Sequence, residues 1–281
     1  MRARSLPSVV SHFAVHFSHE VRKSGTSTED PSMSSPASSS PGAAPASAGP
    51  VAAALIEDLV AANRILAAEE ILDGYGHVSL RHERDPGRYL LARSLAPELV
   101  GPDDIMEYDL DSRPVDARGR ALYVERFIHG EIYKLRPDVT AIVHHHSPSV
   151  IPFTISAAPL QAVYHMSAFV GQGVPVFEIR DAGGMTDMLI RDAALGRALA
   201  EKLGPHPAAL LRGHGSVVVG STVPLVVGRS IYMELNAKLQ LQALALGGEP
   251  TYLDPEEVRK VEARQDYARS WELWRRKALA K

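Results

Sequence analysis

The sequence predicts an α/β fold: a three-layer α/β/α arrangement with a central mixed, mainly antiparallel sheet, in a single domain. Three observations carry this expectation. Short β-rich segments bounded by Gly, Pro and Asp are interspersed with longer segments of helical periodicity. The first three β-rich segments follow one another directly, as in an antiparallel meander. No internal repeat is evident, and 281 residues are enough for one large core.

The chain opens with "MRARSLPSVVSHFAVHFSHEVRK", basic but interrupted by Ser11, His12, His16 and Ser18, so that no secretory apolar region forms. From Ser24 to Pro50 it is rich in Ser, Pro, Ala and Gly and has no large apolar residue except Met33. Such a stretch cannot bury enough surface to offset the entropy of ordering it. Residues 1–50 are therefore expected to be a disordered tail, with the folded domain over 51–281.

"VAAALIEDLVAANRILAAEEILDG" places Leu55, Ile56, Leu59, Val60, Ile65 and Leu66 at helical spacing, and Gly74 marks the exit. "GHVSLRHE", "RYLLARS" and "IMEYDLDSRPV" read as the meander. "ERFIHGEIYKLRP" returns to helical periodicity through Phe127, Ile128, Ile132 and Leu135, and "VTAIVHHHS" reads as a strand. A short helix is expected over 150–156, strands at "QAVYHM" and "VPVFEI", and a helix at "DAALGRALAEKLG". "AALLRGHGSVVVG" reads as a strand that turns at its glycines. A long helix, "TVPLVVGRSIYMELNAKLQLQALALGG", follows, and then a charged amphipathic helix from Asp254 to Lys281. Trp271 and Trp274, three apart on that helix, are expected to pack on a neighbouring helix or subunit.

Composition narrows the chemistry. A hydrophobic content of 45% with 22% charged residues is that of an ordinary globular protein, and the net charge of -3 provides no basic field for nucleic acid or an anionic membrane. No apolar run approaches the roughly 20 residues that span a bilayer. A cytoplasmic protein acting on small molecules is expected. Zero cysteines exclude disulfides, thiolate metal sites and a cysteine nucleophile. Any metal must be held by nitrogen and oxygen.

The histidines then stand out. On a strand successive side chains face opposite ways, so in His144-His145-His146 the outer two share a face while His145 points to the other. Taken alone, this H-x-H fits two imidazoles on one ion and two histidines hydrogen-bonded at a strand end equally well. His214, between Gly213 and Gly215, offers a third nitrogen where small neighbours permit close approach. Glu125, one turn before His129, offers an acid, although negative charge at a helix start is also stabilising in its own right. Three imidazoles and an open position suit a divalent ion.

"GHVSLR", "YVERFIHGEIYKLRPDVTAIVHHHSPSV", "VYHM" and "LLRGHGSVVVG", in this order, resemble the class II aldolase/adducin family over about residues 51–248. The resemblance implies a class II aldolase-like domain with a nine-stranded central sheet, assembled as a homotetramer with sites at subunit interfaces. It implies one divalent ion per subunit on His144, His146 and His214, with Glu125 as acid/base. Members without catalysis generally lack this set, so an enzyme is expected rather than an adducin-like interaction module.

Departures from the sugar-phosphate aldolases redirect the substrate. The phosphate-gripping Asn is His77, the Thr-Gly region reads "ARSLAPEL", and the two serines before the acid are Tyr123 and Val124. Few donors remain for a phosphate dianion. His77, Arg93, Ser94 and Tyr123 are instead expected to bind a carboxylate and an aromatic ring, Arg93 supplying a bidentate fork. The family's interfacial tyrosine falls on His165, a different acid/base. Within the family the sequence resembles the branch of metal-dependent aromatic-acid decarboxylases and the 4-hydroxy-3-prenylphenylpyruvate oxygenase of aminocoumarin biosynthesis. This resemblance implies decarboxylation, plain or oxidative, of a hydroxylated aromatic carboxylate or an aryl 2-oxo or 2-hydroxy acid, in antibiotic biosynthesis or aromatic catabolism, with Fe(II) or Mn(II) preferred to Zn(II). Retro-aldol cleavage or epimerisation of a small hydroxycarbonyl compound is the alternative.

Overall fold

Alternation along the strands divides the core into two layers, one on each face of the sheet. The computed structural model describes residues 43–280. Seven strands, β1 (His77–Arg81), β2 (Arg88–Ala92), β3 (Ile105–Asp109), β4 (Ala141–His145), β5 (Val176–Phe177), β6 (Ala208–Leu211) and β7 (Gly215–Gly220), form one sheet in the order β3-β2-β1-β4-β7-β6-β5. Every pairing is antiparallel except β5 with β6.

Val78, Leu80, Leu90, Ala141, Val143, Leu210 and Val218 join one apolar cluster. Their neighbours Leu91, Ile142, Leu211, Val217 and Val219 join the other. The first layer is roofed by α1 (Ala53–Ala68), α6 (Val223–Ala245) and α8 (Ala268–Leu279), the second by α2 (Phe127–Leu135) and α5 (Ala193–Leu203). Three further helices, α3 (Ile151–Ile155), α4 (Ile179–Gly183) and α7 (Pro255–Glu262), complete the set. Trp271 is buried in the first layer with Trp274 packed beside it, as their spacing suggested.

Several expectations change. The sheet has seven strands among the described residues, not nine. "QAVYHM" is no strand: its extended backbone bonds to side-chain amides of α6, and a 3-10 helix, His165–Gln172, begins within it. Asn236 accepts from Val163 N (3.0 Å) and donates to Gln161 O (2.7 Å), while Gln240 accepts from Gln161 N (2.9 Å). With those groups satisfied, the segment has no need of a neighbouring strand. "AALLRGHGSVVVG" is a hairpin, β6 and β7, turned at Gly213 with φ +61°.

The C-terminal helix is two, because Tyr267 adopts a left-handed conformation (φ 55°) and lays its ring on Gly228, donating its hydroxyl to Met166 O at 2.6 Å. The proposed tail lies outside the described residues up to 42. Its last residues bond to the sheet edge: Ala48 N donates to Glu107 (2.7 Å) and Arg88 donates to Ala46 O (3.0 Å). No helix among the described residues is long and apolar enough to cross a membrane.

Candidate metal centre

β4 ends beside β1 and β7, with His144 opposite His77 on one side and Val217 on the other. His144 shares the face of Ile142, under α2 and α5. His145 faces the opposite way, buried against Ser216, whose Oγ lies 3.1 Å from its Nε2. His146 follows the strand's last residue, and His214 sits in the β6–β7 turn. A Cβ on Gly215 would lie 2.3 Å from His145 O, so only glycine allows this approach of the turn to β4. Glu125 lies in a 3-10 turn, Val124–Arg126, immediately before α2.

One ligand atom from each of Glu125, His144, His146 and His214 falls within 4.8 Å of every other. The three imidazoles are each engaged from behind through Nδ1. Nδ1 of His144 lies 3.1 Å from Ser216 O, Nδ1 of His214 lies 3.1 Å from Met188 O, and Nδ1 of His146 lies 3.0 Å from Asp73 Oδ2. Carbonyls and carboxylates only accept, so each Nδ1 carries the proton and each Nε2 presents a lone pair inward. Two of those, on His144 and His146, face each other at 3.1 Å, an arrangement that a cation between them would relieve. The donor set, three nitrogens and a carboxylate with outer partners in place, fits a divalent ion.

Glu125 is held at one oxygen, where Ile190 N donates to Oε1 at 2.9 Å. Its Oε2 stands 3.6 Å from His144 Nε2 and 3.5 Å from His214 Nε2. Burial pushes this carboxyl up, but the two imidazoles outweigh burial and hold it well below the usual carboxylate range. The same carboxylate raises His214 against its burial, whereas burial and the neighbouring His144 lower His146.

Glu125, His146 and His214 of the cluster line a cavity of about 800 Å³, whose other walls include Tyr75, His77, Ser94, Tyr123, Leu95 and Leu189. The His77 ring packs 4.6 Å from that of Tyr123, whose hydroxyl is turned away to Leu95 O. His77, Ser94 and Tyr123 are thus brought together as the sequence suggested. Arg93 is not: its guanidinium pairs with Asp104 at 2.6 Å, outside the lining, because Asp104 caps the neighbouring turn at Gly101 N and draws it there. His165 is also absent from the lining; it is exposed and packs edge-on against Tyr164 at 4.9 Å.

Sequence reasoning missed Asp73, Tyr75 and Met188. Asp73 accepts from Tyr75 N (2.8 Å) and Gly76 N (3.0 Å), an Asx turn that "LDGYG" does encode. Tyr75 is 79% exposed at the cavity rim. Met188 contributes only a carbonyl, from a left-handed residue (φ 72°), and no side-chain pattern could have announced it.

The sequence profile described as Class II Aldolase and Adducin N-terminal domain matches residues 57–241. Decarboxylase tropJ of Talaromyces stipitatus is 35% identical over 78% of this chain and 92% of its own length. A 3,4-dihydroxyphthalate decarboxylase of Arthrobacter keyseri is 30% identical, covering 68% of this chain and 79% of that protein. The 4-hydroxy-3-prenylphenylpyruvate oxygenase/4-hydroxy-3-prenylbenzoate synthase of Streptomyces roseochromogenus is 31% identical over 59% of this chain and 57% of its own. Among solved structures, L-fuculose 1-phosphate aldolase from Glaciozyma antarctica superposes with a TM-score of 0.66 over 80% of this chain and 88% of that one, at 24% identity. The three sequence relatives carry the names of enzymes, and the profile runs from α1 to α6 with the whole Glu/His cluster inside it. The chain is accordingly an enzyme of the class II aldolase and adducin N-terminal domain family.

Proposed function

We propose that the protein is a metal-dependent decarboxylase of a hydroxylated aromatic carboxylate. The observation that carries this reading is the convergence of three Nε2 lone pairs, each imidazole fixed from behind through Nδ1, beside a cavity walled by Tyr123, Tyr75 and apolar side chains. A divalent ion held by His144, His146 and His214 would supply Lewis acidity to substrate oxygens and stabilise the anion left when CO2 departs.

The chain's own groups do the rest. The rings of His77 and Tyr123 form a wall for a planar substrate, and Ser94 offers a hydroxyl at its side. Glu125, pinned through Oε1 by Ile190 N, keeps Oε2 free to hold or move a proton beside the ligands. Within one chain Arg93 and His165 have no place in this cavity. A role for His165 would require a neighbouring copy, consistent with a tetramer whose sites lie at interfaces.

Similarity to the oxygenase supports an oxidative variant with Fe(II) and O2. The two decarboxylases align over more of both sequences, and plain decarboxylation is the reading preferred here. Elemental analysis of anaerobically purified protein, followed by CO2 and oxygen-electrode measurements with hydroxybenzoic and arylpyruvic acids, tests it. CO2 release without O2 uptake is expected. Uptake selects the oxidative reaction, and aldehyde formation from a small β-hydroxycarbonyl compound in place of these acids, without CO2, selects an aldolase.

A further inference from the structure

Behind the cavity, on the side of His77 away from the open space, lies a set of polar groups that the proposed reaction does not use. His129, on the buried face of α2, is fully enclosed. Its Nε2 lies 2.7 Å from His77 Nδ1 and its Nδ1 lies 2.6 Å from Ser79 Oγ. Ser79 Oγ in turn lies 2.8 Å from the Tyr133 hydroxyl, which donates to Thr140 O at 3.3 Å. Tyr133 is buried as well, so no water competes for these contacts.

The last acceptor sets the direction of the whole series. A carbonyl can only accept, so Tyr133 spends its one proton on Thr140 O. Ser79 must then donate to Tyr133, and His129 must donate from Nδ1 to Ser79. Neutral His129 is left with a lone pair on Nε2, which takes the proton of His77 Nδ1. Burial holds His129 neutral, pushing it down to about 3. This is the one assignment with neutral imidazoles in which all four contacts carry a proton.

It leaves His77 Nε2 without one. That atom has no partner among the described residues, is not a buried orphan, and belongs to a residue lining the cavity. Nor does His77 belong to the metal-ligand cluster.

We propose that His129, backed by Ser79 and Tyr133, is a positioning residue that fixes His77 as a hydrogen-bond acceptor toward the cavity. A hydroxyl on the substrate ring is thereby selected over an ether or a bare ring. The substrate part of this inference rests on the aromatic-acid reading above; the tautomer part does not. His77 is the residue that touches substrate, and His129 acts through it.

The experiment has two arms on protein loaded with Zn(II). Imidazole 15N spectra report which nitrogen of His77 carries the proton, with no substrate needed. Calorimetric binding of the three hydroxybenzoates against their methoxy counterparts reports the preference. The native protein is expected to protonate His77 at Nδ1 and to prefer one hydroxy isomer by about five- to tenfold, the worth of one hydrogen bond. Tyr133→Phe frees Ser79 to donate toward His129, so the His77 proton should move to Nε2 and the preference should vanish while Zn(II) content stays the same. His129→Gln, which keeps bulk and polarity, is the second variant and should lose the preference likewise.

A proton on Nε2 in the native protein, or an unchanged preference in both variants, overturns the inference. Failure of all six acids to bind overturns the hydroxyl selection together with the aromatic-acid reading. Zn(II)-loaded protein that binds and discriminates as expected but releases no CO2 from any aryl acid leaves the inference standing and overturns only the reaction assigned above.

Discussion

Asp73 performs two tasks with one carboxylate: Oδ1 closes the turn that carries Tyr75, and Oδ2 receives the His146 Nδ1 proton. Asp73→Asn keeps a turn-closing oxygen but removes the charge behind the imidazole. Metal affinity is expected to fall about 10- to 100-fold, read by competition with a chromophoric chelator, with the melting temperature of the metal-free protein little changed. His146→Ala removes a proposed ligand, so metal retention and turnover should disappear together; persistence of both would remove His146 from the site. Gly215→Ala tests the backbone in the same spirit. Its methyl would meet His145 O at 2.3 Å and His146 Cδ2 at 2.9 Å, forcing β7 from β4, and metal content by elemental analysis should drop along with thermal stability.

Among the elements, α6 does more than roof the sheet. Asn236 satisfies Val163 N and Gln161 O, and its Oδ1 also receives the Ser167 hydroxyl at 2.8 Å. Asn236→Ala would leave Val163 N and Gln161 O without these partners, while the Ser167 hydroxyl keeps Tyr164 O, at a cost of about 1–3 kcal/mol, measurable as a lower urea midpoint. The same contacts explain why "QAVYHM" misled: Val163 and Tyr164 are residue types of a strand, but the segment's partners are side chains distant in sequence. Where one face decides, the pattern was legible, as in the meander β1–β3, α1, and the opposed faces of His144 and His145. Where long-range geometry decides, it was not. The break at Tyr267 depends on Gly228, and Arg93 pairs with Asp104, the carboxylate that also caps the neighbouring turn at Gly101 N. Of the cluster, His144, His146, His214 and Glu125 are candidates by residue type and spacing and are joined into one set by the family resemblance, whereas the Met188 carbonyl and the Ile190 N–H could not be read at all.

At the scale of the whole molecule, residues 46–49 fasten the entry of the chain to β2 and β3 through Arg88 and Glu107. A chain starting at Ala43 should therefore melt higher than one starting at Val51, by calorimetry on the two side by side. The strand order has a less local effect. The three candidate ligand histidines stand at the end of β4 and in the turn before β7, strands that are adjacent in the sheet but separated by α3, β5, α4, α5 and β6 in sequence. Contacts between strands so far apart in sequence form slowly, so the pairing of β4 with β7 is expected to come late. No cradle exists for an ion until that pairing is made. Metalation then follows folding and cannot guide it: refolding rates should be the same with and without the divalent ion, while unfolding slows once it is seated. A divalent ion seated in this cluster would be a passenger admitted after the doors have closed.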